Sequence, residues 1–226
     1  MAGIVGIRAE DMEQVDALQR ARLEFPHGLP MVRPSVRSLV LVQENEKLVA
    51  KPAKFGFTSA FSSFNARVDK LATSPFWKSM FGKAHGIAPL SYVIEWVEKG
   101  GVRQPYLIQR ADGRLIMAPA LVSHSRDERK EPAFAIVTRD PNRFFGFFHP
   151  RMVGVCTPEL MDRWLDPSKY SPSDLAECVA APRDDELVAV PASPEIQKRV
   201  KGDWSALKTV GPPITWKDVE QKLAPS

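Results

Sequence analysis

Short apolar runs broken by turn residues dominate this chain, and few stretches carry the three-to-four-residue spacing of a long helix. Gly3-Ile4-Val5-Gly6-Ile7 is β-rich, and the charge and apolar spacing of residues 11–23 predicts a helix closed by Phe25-Pro26-His27-Gly28. Residues 37–43 are rich in Leu and β-branched side chains and run through Glu44-Asn45-Glu46 into residues 47–50, the pattern of a hairpin. Residues 58–64 are Ser- and Phe-rich and read as a loop ahead of Asn65. Ser74 and Pro75 supply the cap and first residue of a short helix that carries Phe76, Trp77, Met80 and Phe81 and stops at Gly82.

Further along, residues 92–97, 105–109 and 115–121 alternate as strands, with Gly100-Gly101 and Ala111-Asp112-Gly113-Arg114 between them, and an antiparallel meander is the simplest arrangement. Residues 125–132 form a charged loop, 133–138 a strand, and Thr157-Pro158-Glu159 opens a helix bearing Leu160, Met161, Trp164 and Leu165. Residues 179–191 resemble a last strand region, and 203–226 a peripheral C-terminal extension to a single domain over 1–202. Strands outnumber helices, which predicts an α+β fold.

Composition agrees. The chain has 226 residues, is 44% hydrophobic and 26% charged, and its 20 prolines disfavour a helical bundle. A net charge of +4 suits an anionic partner but falls short of a polybasic arm. Cys156 and Cys178 form neither a disulfide framework nor a CxxC or Cys/His cluster, so no metal is expected. Apolar residues extend only to Ile7 before Arg8, Glu10 and Asp11, too short for a signal-peptide core, and no run is long enough to span a membrane. A cytoplasmic protein with no membrane partner is the expectation. GxxxxGK[ST], paired-His zinc helices and GxSxG are all missing, which removes the common nucleotide-binding and hydrolase chemistries.

Six segments in order carry a resemblance. Phe55-Gly56-Phe57, Asn65-Ala66-Arg67-Val68-Asp69, Glu95-Trp96, Gln104-Pro105-Tyr106, Phe134-Ala135-Ile136-Val137-Thr138 and His149-Pro150-Arg151-Met152 resemble, at similar spacing, the motifs of the SOS response-associated peptidase (SRAP) family. The resemblance implies mostly antiparallel, strongly curved sheets in a pseudo-barrel with a few flanking helices. It also implies binding of single-stranded DNA and covalent capture of abasic sites by a cysteine exposed when the initiator Met is removed, its amine and thiol closing on the sugar aldehyde as a thiazolidine.

In this chain Ala2 stands where the family has that cysteine. An α-amine at Ala2, with a reference pKa near 8, could still form a reversible imine, but without sulfur it cannot close a thiazolidine. Other departures are Ile4 for an Arg, Met31 for an Asn, His85, Ser91 and Tyr92 for Arg, Asp and Gly, and Val153 for a Pro.

The resemblance assigns Glu95 and His149 to proton transfer at the site, with Ala2 at the position of the nucleophile. An inward Glu95 in a strand would have a raised pKa, whereas an outward one beside Glu98 would be merely solvated. His149, after Phe144, Phe145, Phe147 and Phe148, can shuttle protons or be a satisfied core histidine. Asn65 can bind a sugar oxygen or a strand backbone; Arg67 and Arg151 can clamp phosphates or pair with a carboxylate such as Asp69. Phe61 and Phe64 lie in the loop where relatives carry an aromatic wedge, and Trp96 completes the DNA-binding set.

Three functions fit. The first is a monomeric, cofactor-free binder of single-stranded or abasic DNA that has lost covalent crosslinking. The second is an enzyme using the Ala2 amine for Schiff-base or lyase chemistry, and the third a repurposed interaction module that keeps only the fold.

Overall fold

A computed structural model describes residues 3–57, 63–123, 132–197 and 207–223. In chain order its strands are β1 (Ile4–Ile7), β2 (Leu29–Val32), β3 (Arg37–Glu44), β4 (Lys47–Phe55), β5 (Asn65–Arg67), β6 (His85–Leu90), β7 (Tyr92–Lys99), β8 (Val102–Arg110), β9 (Ile116–Ser123), β10 (Ala133–Arg139), β11 (Met152–Val153) and β12 (Leu187–Pro191). The helices are α1 (Asp16–Ala21), α2 (Pro75–Lys78), α3 (Arg143–Gly146), α4 (Pro158–Leu165), α5 (Pro172–Glu177) and α6 (Trp216–Leu223).

The expected hairpin is β3–β4, in unbroken register from Arg37↔Lys54 to Glu44↔Lys47. Asn45 and Glu46 take φ of 48° and 62°, the left-handed pair that a two-residue turn needs to match strand twist. This hairpin belongs to the larger sheet, ordered β11-β10-β4-β3-β6-β9, and β9 also pairs with β10. That last pairing closes five of the strands into a ring, the pseudo-barrel. The pairings are antiparallel apart from β10 with β4 and with β5. A smaller sheet runs β12-β8-β7-β1-β2.

Strand alternation sorts the core into layers. Val40 and Val42 of β3 and Phe134 and Ile136 of β10 join Val5, Val93 and Ile108 of the small sheet in one cluster between the sheets. Leu39, Leu41, Ala135 and Val137, pointing the other way, pack with Leu18, Trp77, Trp164 and Leu175 from the helical flank. A third cluster of Ile4, Tyr92, Ile94, Leu107 and Val190 lies on the far face of the small sheet.

The structure corrects four expectations from the sequence. The helix over 11–23 is broken: a 3-10 turn covers Glu10–Gln14, Val15 is extended, and α1 is short. Tertiary bonds hold that first turn, since Asp11 accepts from Ser91 Oγ at 2.5 Å and Gln14 bridges Gly113 and Leu115. The helix from Pro75 keeps regular geometry only to Lys78 before a run of turns reaches Gly82 at φ 78°.

The meander ends after β7–β8, because buried Leu115 is pinned through its amide to Gln14 and the chain crosses to pair β9 with β6 and β10. Of residues 179–191 only β12 is a strand; Pro182 and the 3-10 turn at Asp184–Glu186 occupy most of the approach. The expected charged loop lies almost wholly outside the described residues. Beyond residue 207, Thr209 bridges to Ala192, Ile214 bridges to Ala189, and Val219 of α6 is fully buried.

Candidate active site and nucleic-acid interface

On β7, Val93, Glu95 and Val97 share a face, and Val93 and Val97 belong to the cluster between the sheets. Glu95 therefore points inward and is 3% exposed. Burial raises its carboxyl to about 7, against the opposing pull of the positive charge at the chain's amino terminus. β1 runs antiparallel to β7 with Ile4 beside Ile94 and Val5 beside Val93, a register that brings Gly3 level with Glu95. Gly6 is needed in this strand, because a Cβ there would lie 2.5 Å from the Pro30 carbonyl oxygen and 2.6 Å from the Tyr92 ring.

Opposite Glu95 on β8 is Tyr106, whose ring packs edge-on against Phe148 at 5.1 Å. The next residue is His149. Its Nδ1 lies 3.0 Å from both the amide nitrogen and the carbonyl oxygen of Arg151, so the neutral ring accepts from the amide and the protonated ring donates to the carbonyl. Burial lowers the His149 pKa, with the bond to Arg151 acting the other way. α3, which delivers this segment, is capped by Asn142 Oδ1 accepting from the Phe145 amide at 2.8 Å.

β5 carries the next two candidates. Pairing parallel to β10 places Asn65 beside Ile136 and Arg67 beside Thr138. Both polar atoms of the Asn65 amide are buried without a hydrogen-bond partner among the described residues. Each such group costs on the order of 1–3 kcal/mol, a penalty that a bound ligand with matching polar atoms would remove.

Arg151 donates to Asp140 at 2.5 Å and to the Thr138 carbonyl at 2.9 Å, while half-exposed Arg67 forks onto Asp69 at 3.0 and 2.8 Å. The sequence offered carboxylate pairing and phosphate contact as alternatives for these arginines, and both are paired. Asn65, Arg67, Lys70, Ser74, Trp77 and Arg151 line one cleft of about 470 Å³.

Glu95 and His149 are not among the residues lining this cleft, and the remaining candidates lie elsewhere. Trp96 faces away from Glu95 on β7, packs with the far-face cluster and has the Arg103 guanidinium 5.9 Å above its ring. Ala2 and Phe61 lie outside the described residues, while Phe64 packs edge-on against Phe55 at 5.8 Å. Lys70 and Trp77 line the cleft and Tyr106 faces Glu95 without the sequence having given any of the three a site role, although Tyr106 belongs to a motif and Trp77 to the predicted helix. Lys70 is three residues past Arg67, and the 3-10 turn at Val68–Lys70 folds it back to the cleft, a placement that charge spacing alone does not reveal.

A sequence model of the SOS response associated peptidase (SRAP) family matches residues 10–199. The chain belongs to the SRAP family. It is 30% identical over 145 residues to abasic site processing protein YedK of Escherichia coli, covering 62% of this chain and 65% of that protein. To abasic site processing protein YMR114C of Saccharomyces cerevisiae it is 31% identical over 111 residues, 48% of this chain and 30% of the relative. The matches thus span just under two thirds and under one third of these relatives' lengths.

Solved structures share the fold. A protein from Bacteroides thetaiotaomicron aligns with a TM-score of 0.74 at 18% identity, over 92% of this chain and 99% of the other. A phage-related protein from Bordetella bronchiseptica aligns with 0.67 at 21%, over 86% and 95%.

Within this SRAP member, the departures at His85, Ser91 and Tyr92 have structural partners. His85 lies between Phe81 and Trp164, its Nδ1 donating to the Trp164 carbonyl at 2.8 Å and its Nε2 accepting from the Gly82 amide at 3.1 Å. Ser91 ties Asp11 to the Arg8 amide, and Tyr92 donates to the Pro30 carbonyl at 2.8 Å. Met31 packs on the far-face cluster. Among the described residues no three His, Cys, Asp or Glu side chains are grouped to hold a metal, and no helix is long and apolar enough to cross a membrane.

Proposed function

We propose that this SRAP protein engages single-stranded DNA carrying an abasic site, as a monomer in the cytoplasm and without a cofactor. Phosphates lie along the Arg67–Lys70–Arg151 cleft and the opened sugar lies toward the start of β1. The observation that carries this reading is the Asn65 amide, buried without a hydrogen-bond partner in a cleft that also presents Arg67, Lys70 and Arg151. Exposed ion pairs such as Arg67–Asp69 contribute little and can open toward a phosphate. The names of YedK and YMR114C add abasic-site processing as the context. Ala2 in place of the family's cysteine leaves this chain a non-covalent reader on this proposal, because thiazolidine closure requires sulfur.

A second reading has a specific observation in its favour. A Glu95 carboxyl near pH 7 is matched to proton transfer, and the β1 register brings Gly3 level with it. On that reading Met1 is first removed by hydrolysis, and the unprotonated Ala2 α-amine so freed adds to the ring-opened aldehyde, water leaving to give an imine.

Incubating the protein with single-stranded DNA bearing one abasic site, with and without borohydride, separates the two, once mass spectrometry has identified the amino terminus. Salt-sensitive binding with no adduct supports the reader. A borohydride-dependent adduct lost in Glu95→Gln supports the amine enzyme, and neither binding nor adduct overturns both in favour of a repurposed module.

A further inference from the structure

Phe76 is 39% exposed although it sits among aromatic neighbours. Its ring centroid lies 4.7 Å from that of Trp77 at 81° and 5.8 Å from that of Phe57 at 79°. Two near-perpendicular contacts fix the ring's orientation while much of it stays in water. A ring already held in place loses little rotamer freedom when something stacks on it.

Its position matters as much as its exposure. Ser74 and Trp77, on either side of it in α2 and its cap, line the cleft with Asn65, Arg67, Lys70 and Arg151. Phe76 is not itself among the lining residues, but its ring packs on that of Trp77, which is, so it lies beside the basic cleft, with exposed Lys78 two residues on. Phe57 is bonded through its amide to the Ser63 carbonyl at 3.1 Å, so the brace beneath Phe76 is itself anchored. A positive groove bordered by an aromatic face is the arrangement that holds a single strand, with cations on the phosphates and a ring under a base. A protein partner fits less well, since the exposed apolar area here is one ring among cations and not a broad patch.

We propose that Phe76 is a stacking platform for an unpaired nucleobase of the strand whose phosphates follow the Arg67–Lys70–Arg151 cleft. The proposal rests on the DNA-binding reading above and adds the residue that recognises a base next to the backbone.

The test is fluorescence anisotropy with two labelled oligonucleotides of equal length, one of thymidines and one whose sugars carry no bases. Phe76→Ala and Phe76→Leu should bind the thymidine strand at least about fivefold more weakly than wild type, with an unchanged salt slope. Phe76→Trp should bind it as well as wild type, and the base-free strand should bind wild type and Phe76→Ala alike. The leucine variant keeps an apolar side chain and the tryptophan variant an aromatic one, so a general folding defect would not produce this pattern.

Equal binding of the thymidine strand by wild type and Phe76→Ala, while Lys70→Ala weakens it, overturns the platform and leaves DNA binding standing. Equal weakening of both strands by Phe76→Ala also overturns it. If wild type binds neither strand, the DNA-binding reading falls and the platform with it.

Discussion

Arg151 donates from Nη2 to the carbonyl oxygen of Thr138 at 2.9 Å, and Thr138 is itself the register partner of Arg67 on β5. Both arginines of the cleft thus lie against one β10 residue, Arg151 through its side chain and Arg67 through strand pairing, but they are buried to different degrees. The Arg151 side chain is 14% exposed and that of Arg67 is 52% exposed.

From this difference, Arg151→Ala should cost about 1.5–3 kcal/mol of stability, because a charged donor to a main-chain carbonyl is lost from a largely buried position. Arg67→Ala should cost under about 1 kcal/mol, since its ion pair is exposed. Urea unfolding of both variants measures the contrast, and equal losses would contradict the reading of Arg151 as the more firmly held of the two.

Glu95 gives the protein a specific alkaline-side weakness. Its carboxyl titrates near 4.5 in an unfolded chain and at about 7 when buried, so the folded state holds the proton more tightly. Stability from this group is complete below about 4.5 and is lost as pH rises through about 7. Glu95→Gln, which cannot ionise, should gain roughly 3 kcal/mol relative to wild type between about pH 5 and pH 8. Thermal melts of both proteins across that range check it, and a pH-independent difference would place Glu95 in a solvated setting.

His85 has the opposite sign. Burial between Phe81 and Trp164 lowers its pKa from 6.5 to about 4, so the unfolded chain takes up the proton first. Stability is fully present above about 6.5 and is lost as pH falls through about 4, by roughly 3 kcal/mol in all. An NMR titration of the His85 ring should show it neutral until near pH 4. A midpoint near 6.5 would mean that the stacked, hydrogen-bonded arrangement is not kept in solution.

Much of the fold was legible because local chemistry and tertiary structure agree. The Asn45-Glu46 turn, the Pro158 start of α4 and the alternation of β10 all follow from residues within a few positions of one another. Where the reading failed, a distant partner decided. Asp11 and Gln14 break the first helix through bonds to residues some 80 to 100 positions away, and β9 leaves the meander because Leu115 is held by Gln14.

The site divides the same way. Asn65 and Arg67 are two positions apart on β5 and face one cleft, but Trp96 sits next to Glu95 and faces away from it, since neighbours on a strand point to opposite sides. Lys70 could not be found from its own segment, because it joins through a 3-10 turn, and the Gln104-Pro105-Tyr106 motif did not reveal that Tyr106 faces Glu95, which follows from the pairing of β8 with β7.

The most direct test of the account is the affinity for single-stranded DNA carrying one abasic site, measured across a range of salt for wild type, Asn65→Ala and the double variant Arg67→Ala, Lys70→Ala. The account expects log affinity to fall linearly with log salt in wild type, and the double variant to flatten that slope by about 1.4, at roughly 0.7 per phosphate contact. Asn65→Ala should weaken binding at every salt concentration with the slope unchanged. Absent binding, or binding whose strength and salt slope are the same in all three proteins, would contradict the claim that this cleft is the DNA site.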